Sequence, residues 1–164
     1  VTTTEDHVEL VAELVRLLET RILDPLEILL ASDEPIEPIR ARLRVEAEVW
    51  AAQLLGPDRE RAAMTAARLV GVFFPGDAAF DPSASWWRTA VGRAVARSMV
   101  HPAEAVPYST AGAMLGITRQ GVHDLVKRGK LDRHPDGGVT TSSIRDRLDR
   151  PQENTRAIAR LDHR

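Results

Sequence analysis

The side chains best placed to do chemistry are Arg119, Gln120, His123, Lys127, Arg128, Lys130, Arg133 and His134. A guanidinium can give two parallel hydrogen bonds to a guanine edge, and a glutamine amide can do the same for adenine. Lysines and arginines at a helix end neutralise phosphates and release condensed counterions. Between Ser109 and Arg133 there are five basic and two acidic residues, a net of +3. Alone, an Arg-Gln-x-x-His run is an ordinary solvated helix face. Its meaning depends on the elements that hold it.

Those elements are legible. Tyr108 to Leu115 reads as a short helix with Ser109 as its N-cap and Ala111, Met114 and Leu115 inward. Gly116 stands where the chain must reverse, a place that favours positive φ. Thr118 caps a second helix, Arg119 to Arg128, with Val122, Leu125 and Val126 inward. Arg119, Gln120, His123 and Lys127 remain on its outer side, and Asp124 is expected to turn sideways toward Lys127 or Arg128. Gly129 ends that helix. Leu131–His134 and Val139–Thr141 flank Pro135-Asp136-Gly137-Gly138, a hairpin signal. Ser142 or Ser143 then caps a last helix holding Ile144 and Leu148. Helix, turn, helix, hairpin, helix is a layout that places one basic helix outward.

The stretch from Tyr108 to Leu148 resembles the winged helix-turn-helix of the excisionase and MerR-type DNA-binding families. Ala111…Leu115-Gly116-Ile117-Thr118-Arg119-Gln120…Val122…Leu125…Gly129-Lys130-Leu131 carries the likeness, over about a quarter of the chain. The resemblance implies that the second helix enters the major groove and the hairpin rests on backbone or minor groove. By position, Arg119, Gln120 and His123 would meet base edges, and Lys127, Arg128, Lys130 and Arg133 would meet phosphates. His134, Gly137 and Gly138 would present the wing, and the cap residues Ser109 and Thr118 join the DNA-binding set. Gly112 departs from the families' usual helix former or acid and predicts a weaker first helix. The wing tip is short and not very basic.

The first hundred residues read as about five helices. Thr3 and Thr4 precede Glu5 and Asp6, an N-cap with first-turn acids. Val8, Val11, Val15, Leu18 and Ile22 then recur at helical spacing, with Leu10, Leu14 and Leu17 beside them. Asp24-Pro25 opens a short helix to Leu30, and Asp33 to Pro38 is a break. Ile39, Leu43, Trp50 and Leu54 share the apolar face of the next helix, with Arg40, Arg44 and Glu48 off it. Asp58 caps a helix from Arg59 to about Val72. After a loop from Pro75 to Pro82, Ser83 or Ser85 opens a helix to about Val100, with Trp86, Ala90, Ala94 and Val95 inward. Trp50, Trp86 and Trp87 could line a pocket, but aromatics at helical spacing are usually core.

Leu, Ile, Val and Phe number 42 of 164 residues, too apolar for a disordered chain. No apolar run spans a bilayer and no signal peptide opens the sequence, so the expected location is cytoplasmic. Cysteine is absent, which excludes disulfides and thiol nucleophiles. Arginine outnumbers lysine by 20 to 2, and with abundant alanine this resembles GC-rich bacterial coding. Net charge is −2, yet residues 1–100 carry 11 basic and 16 acidic side chains while residues 101–164 carry 11 and 8. That asymmetry points to a basic module for polyanions beside an acidic one.

The expected fold is mainly α, an N-terminal helical bundle followed by a C-terminal winged helix-turn-helix with a small β-hairpin. The division is 1–101 as acidic bundle, 102–150 as DNA-binding domain and 151–164 as a basic tail. No phosphate-binding glycine loop, His-Glu-x-x-His or nucleophile elbow occurs, and His7, His101, His123, His134 and His163 have no metal-site spacing. The expectation is a non-enzymatic, cofactor-free DNA-binding regulator, dimeric through its N-terminal helices. The alternative is a protein-interaction module with a DNA-addressing domain, such as an antitoxin or a recombination or plasmid accessory factor.

Overall fold

The computed structural model describes residues 3–98 and 103–150. The expected helix end at Val100, the boundary at His101-Pro102 and the tail from Pro151, with Ile158 and Leu161, lie outside the described residues. Among the described residues the fold is mainly α with one two-stranded antiparallel sheet.

Thr3 caps α1 (Thr4–Leu18). Its hydroxyl accepts from the Asp6 N–H at 3.2 Å, and its own N–H donates to the Asp6 carboxylate at 2.8 Å. The bonds from Thr3 hold the Asp6 carboxyl below its ordinary value. Leu10, Leu14, Leu17 and Leu18 form the buried face of α1, while Val11 and Val15 flank it and Val8 is exposed. The helix does not run on regularly to Ile22. Glu19–Leu23 forms a π-helical turn, and α2 (Asp24–Leu30) follows with proline in its first turn.

In α3 (Glu37–Leu55) the buried residues are Ala47, Ala51 and Leu54. Leu43 and Trp50 are half-buried and Ile39 is exposed, so Ile39 does not belong to the inner face. Arg40, expected off that face, is half-buried instead. Glu19, Glu27 and Glu37 all pair with it, and this cluster ties the π-turn and α2 to α3. The hydrogen bonds that Arg40 donates to the Glu19 and Glu37 carboxylates hold its guanidinium charged, above its ordinary value.

The Asp58 carboxylate accepts the Arg61 N–H at 3.0 Å and caps α4 (Arg59–Phe73). The expected single helix after the loop is broken into α5 (Ala84–Trp87) and α6 (Ala90–Ser98). Thr89 makes the corner. Its hydroxyl donates to the Trp86 carbonyl at 2.8 Å and accepts the Gly92 N–H at 3.0 Å. The Glu13 carboxylate of α1 accepts the next free donor, Val91 N–H, at 2.9 Å. The tryptophans pack as structure. Trp87 is buried, Trp86 closes an edge-to-face cluster with Phe74 and Phe80, and Arg68 lies over Trp50.

The remaining elements are β1 (Ala105–Val106), α7 (Tyr108–Leu115), α8 (Arg119–Lys127), β2 (Val139–Thr140) and α9 (Thr141–Asp149). β1 pairs antiparallel with β2, Ala105 opposite Thr140 and Val106 opposite Val139. α7 packs on α5 and α6, and α9 packs on α6. One connected cluster of buried residues therefore runs from Leu10 to Ile144. An ion pair between Arg59 and Asp149 joins the start of α4 to the end of α9.

Candidate nucleic-acid interface

The two capping serines are corrected by the structure. The N-cap of α7 is Pro107, with no side-chain bond, because the helix begins at Tyr108, two residues before a Ser109 cap would start it. Ser109 therefore sits inside the first turn with its side chain exposed. The N-cap of α9 is Thr140, whose hydroxyl accepts the Ser143 N–H. Thr118 caps α8 as its position requires, accepting the Gly121 N–H at 3.0 Å.

Gly116 adopts φ +68° and closes α7. Gly112 has a different reason to be glycine. A Cβ there would lie 2.8 Å from the Ile117 carbonyl oxygen, so its absence lets the turn pass against the buried face of α7. The glycine that predicts a weak helix instead permits close packing of the turn.

Val122 is fully buried and anchors α8, with Leu125 and Val126 half-buried beside it. Arg119, Gln120, His123 and Lys127 are exposed and lie within about 100° of the helix circumference. His123 stands edge-on to Tyr108, ring centroids 6.1 Å apart. Pro107, Tyr108, Ser109, Arg119 and Gly138 line a surface depression of about 390 Å³. Ser109, Arg119 and the hairpin turn thus share one concavity. Lys127, Arg128, Lys130 and Arg133 are not part of its lining; they follow one another from the end of α8 into the hairpin.

The hairpin forms around the expected turn. Arg133 bridges Val139, the Gly137 N–H donates to the His134 carbonyl at 3.0 Å, and the Thr140 N–H donates to the Asp132 carbonyl at 2.9 Å. β2 is its inner strand, covered on the other edge by β1. His134 turns into this hairpin instead of presenting itself. Its Nδ1 accepts the Asp136 N–H at 3.2 Å, and its Nε2 lies 3.5 Å from the Glu104 carboxylate. Glu104 and Asp136, both exposed, give the wing an acidic flank that sequence reasoning missed.

Asp124 is half-buried and its partner is neither Lys127 nor Arg128. Its carboxylate accepts the Gln120 side-chain N–H at 3.2 Å, one helical turn away. Gln120 keeps its carbonyl oxygen and one N–H for an outside partner.

Arg16, Arg40, Arg42, Arg44, Arg59, Arg61 and Arg93 all stand in ion pairs. Arg119, Lys127, Arg128, Lys130 and Arg133 are exposed, and no carboxylate among the described residues pairs with any of them. Among those residues no group of histidines and acids could hold a metal ion, and no helix is long and apolar enough to cross a membrane. No family model, curated protein or solved structure matches this chain.

Proposed function

We propose that this chain is a sequence-specific double-stranded DNA-binding protein of the bacterial transcriptional-regulator kind. It works in the cytoplasm as a dimer, without cofactor or catalytic step. One observation carries the reading: five exposed cations run from α8 into the hairpin, and no carboxylate among the described residues is paired with them. Elsewhere, seven arginines are held in ion pairs; Arg21, Arg68 and Arg88 also stand outside any ion pair among the described residues, but none of them belongs to such a run. Unpaired cations on one small surface are free to displace counterions from phosphate.

The elements have a matching shape. α8 is nine residues, about 13 Å long, and a major groove about 12 Å wide admits such a helix. Arg119 and Gln120 in its first turn are assigned to base edges, with His123 one turn on. Lys127, Arg128, Lys130 and Arg133 are assigned to the backbone. The acids Glu104 and Asp136 on the wing limit that element to a supporting contact. The net charge of −2 is unevenly placed, so attraction to DNA comes from this basic face and fades within about a Debye length. A single module of this size reads one half-site, and two copies give useful affinity.

Replacing Lys127 and Arg128 together by Glu tests the reading. Retention on duplex DNA at low salt should be lost while the helical circular dichroism is unchanged. Undiminished retention by that folded variant would contradict it.

A further inference from the structure

Both ring nitrogens of His134 are committed, and the commitment depends on which of them carries a proton. Nδ1 accepts the Asp136 N–H at 3.2 Å, inside the hairpin turn. A ring nitrogen that accepts a hydrogen bond holds no proton, so the N–H of the neutral ring is on Nε2, which faces the Glu104 carboxylate 3.5 Å away. The Asp136 carboxylate lies 3.9 Å from Nδ1. The side chain is only 20% exposed, so the ring is held between the turn and the segment that enters β1. We propose that this turn is a proton-operated clasp: protonation of His134 at Nδ1 expels the Asp136 N–H, draws in the Asp136 carboxylate and raises the affinity of the wing for phosphate. The exchange in the turn is independent of DNA; its effect on affinity rests on the DNA-binding reading above.

A protonated imidazole has two donors and no acceptor. Its Nδ1–H and the Asp136 N–H then point at each other, and one must leave. The peptide can rotate, because Gly137 follows with no side chain to obstruct it. The new pairs, Nδ1–H to Asp136 and Nε2–H to Glu104, are charge-assisted and take the place of one neutral bond. β1 and β2 bring no charged side chain to the ring. Of its chain neighbours, Asp132 leaves the extended segment on the same side as His134, and Arg133, which bridges Val139, leaves on the opposite side. Histidine is the side chain whose charge ordinarily changes between about pH 5 and 8, a range in which carboxylates stay ionised. With the proton on, Glu104, Asp136 and His134 together fall from −2 to −1, on the acidic flank that otherwise opposes phosphate.

The test is nuclear magnetic resonance of the isotopically labelled full chain without DNA, from about pH 8 to about pH 5. At the alkaline end His134 should be in the Nε2–H form, and the Asp136 amide resonance should move through the same midpoint as the ring nitrogens. In His134→Asn, which keeps an acceptor but cannot titrate, that movement should disappear. A ring in the Nδ1–H form, or one that titrates while the Asp136 amide stays still, overturns the clasp, and the wild-type spectra alone decide this. Fluorescence anisotropy at constant salt then reads the affinity. On lowering the pH over that range, wild type should gain roughly 2- to 5-fold more affinity per protomer than His134→Asn gains, the scale of one exposed charge contact. His123 is present in both proteins, so its own response cancels. Equal responses of the two proteins overturn the gain in affinity. Wild type retained on no duplex at either pH refutes the DNA-binding reading, while the spectra still decide the clasp.

Discussion

Two single substitutions on α8 should separate reading from anchoring. Arg119 lies in the first turn, exposed and at the depression beside the wing, whereas Lys127 ends the helix. If Arg119 bonds a guanine edge, Arg119→Ala should cost about 1–3 kcal/mol on the preferred duplex, roughly a 5- to 150-fold rise in Kd. On duplexes lacking that guanine the change should be small. If Lys127 meets a phosphate, Lys127→Ala should weaken every duplex alike. It should also lower the slope of log K against log salt by about 0.9 per protomer. Between ~50 and ~200 mM salt the variant should then lose about 3.5-fold less affinity per protomer, about 12-fold for a dimer, than wild type over the same interval. Fluorescence anisotropy with a preferred and a scrambled duplex across that range measures both quantities. Equal losses on both duplexes for Arg119→Ala would move Arg119 from base to backbone. No change in either variant would take α8 off the DNA altogether.

Asp124→Ala should relax the preference at the base pair read by Gln120, because the amide loses its one fixed bond, and should raise affinity on all duplexes by removing a like charge; a binding-site selection on the variant checks both. Gly112→Ala should destabilise the fold by about 1–3 kcal/mol in urea unfolding, since its Cβ would press on the Ile117 carbonyl and buried backbone cannot yield. Asp6→Asn should reduce thermal stability by a constant amount at neutral pH. The Asp6 carboxyl is held below its ordinary value of 3.8, so its contribution is complete above that value and fades as pH falls through the lower folded one. The difference in Tm between wild type and Asp6→Asn should therefore vanish in strong acid, and a difference that grew there would contradict the capping box.

Local signals carried much of the fold. Thr3, Asp58 and Thr118 each precede a helix and each bonds the N–H three residues on. Pro135-Asp136-Gly137-Gly138 forms the expected turn. What the sequence concealed depends on contacts distant along the chain. Arg40 looks like a surface residue until Glu19 and Glu27 arrive from the preceding elements. The break at Thr89 depends on Glu13 of α1, 78 positions away, satisfying Val91. β1 is two residues long and has no periodicity to detect; only pairing with Val139 and Thr140 makes it a strand. In the candidate interface, helical spacing was enough to put Arg119, Gln120, His123 and Lys127 outside. The inward turn of His134 toward Glu104 was not visible, because Glu104 lies 30 residues away and only the sheet joins them.

The central claim is tested most directly by presenting the full chain with a pool of random duplexes at rising salt and sequencing what is retained. The account predicts salt-sensitive retention and enrichment of two spaced, inverted half-sites, each containing the guanine that Arg119 reads. Absence of retention at low salt would contradict it.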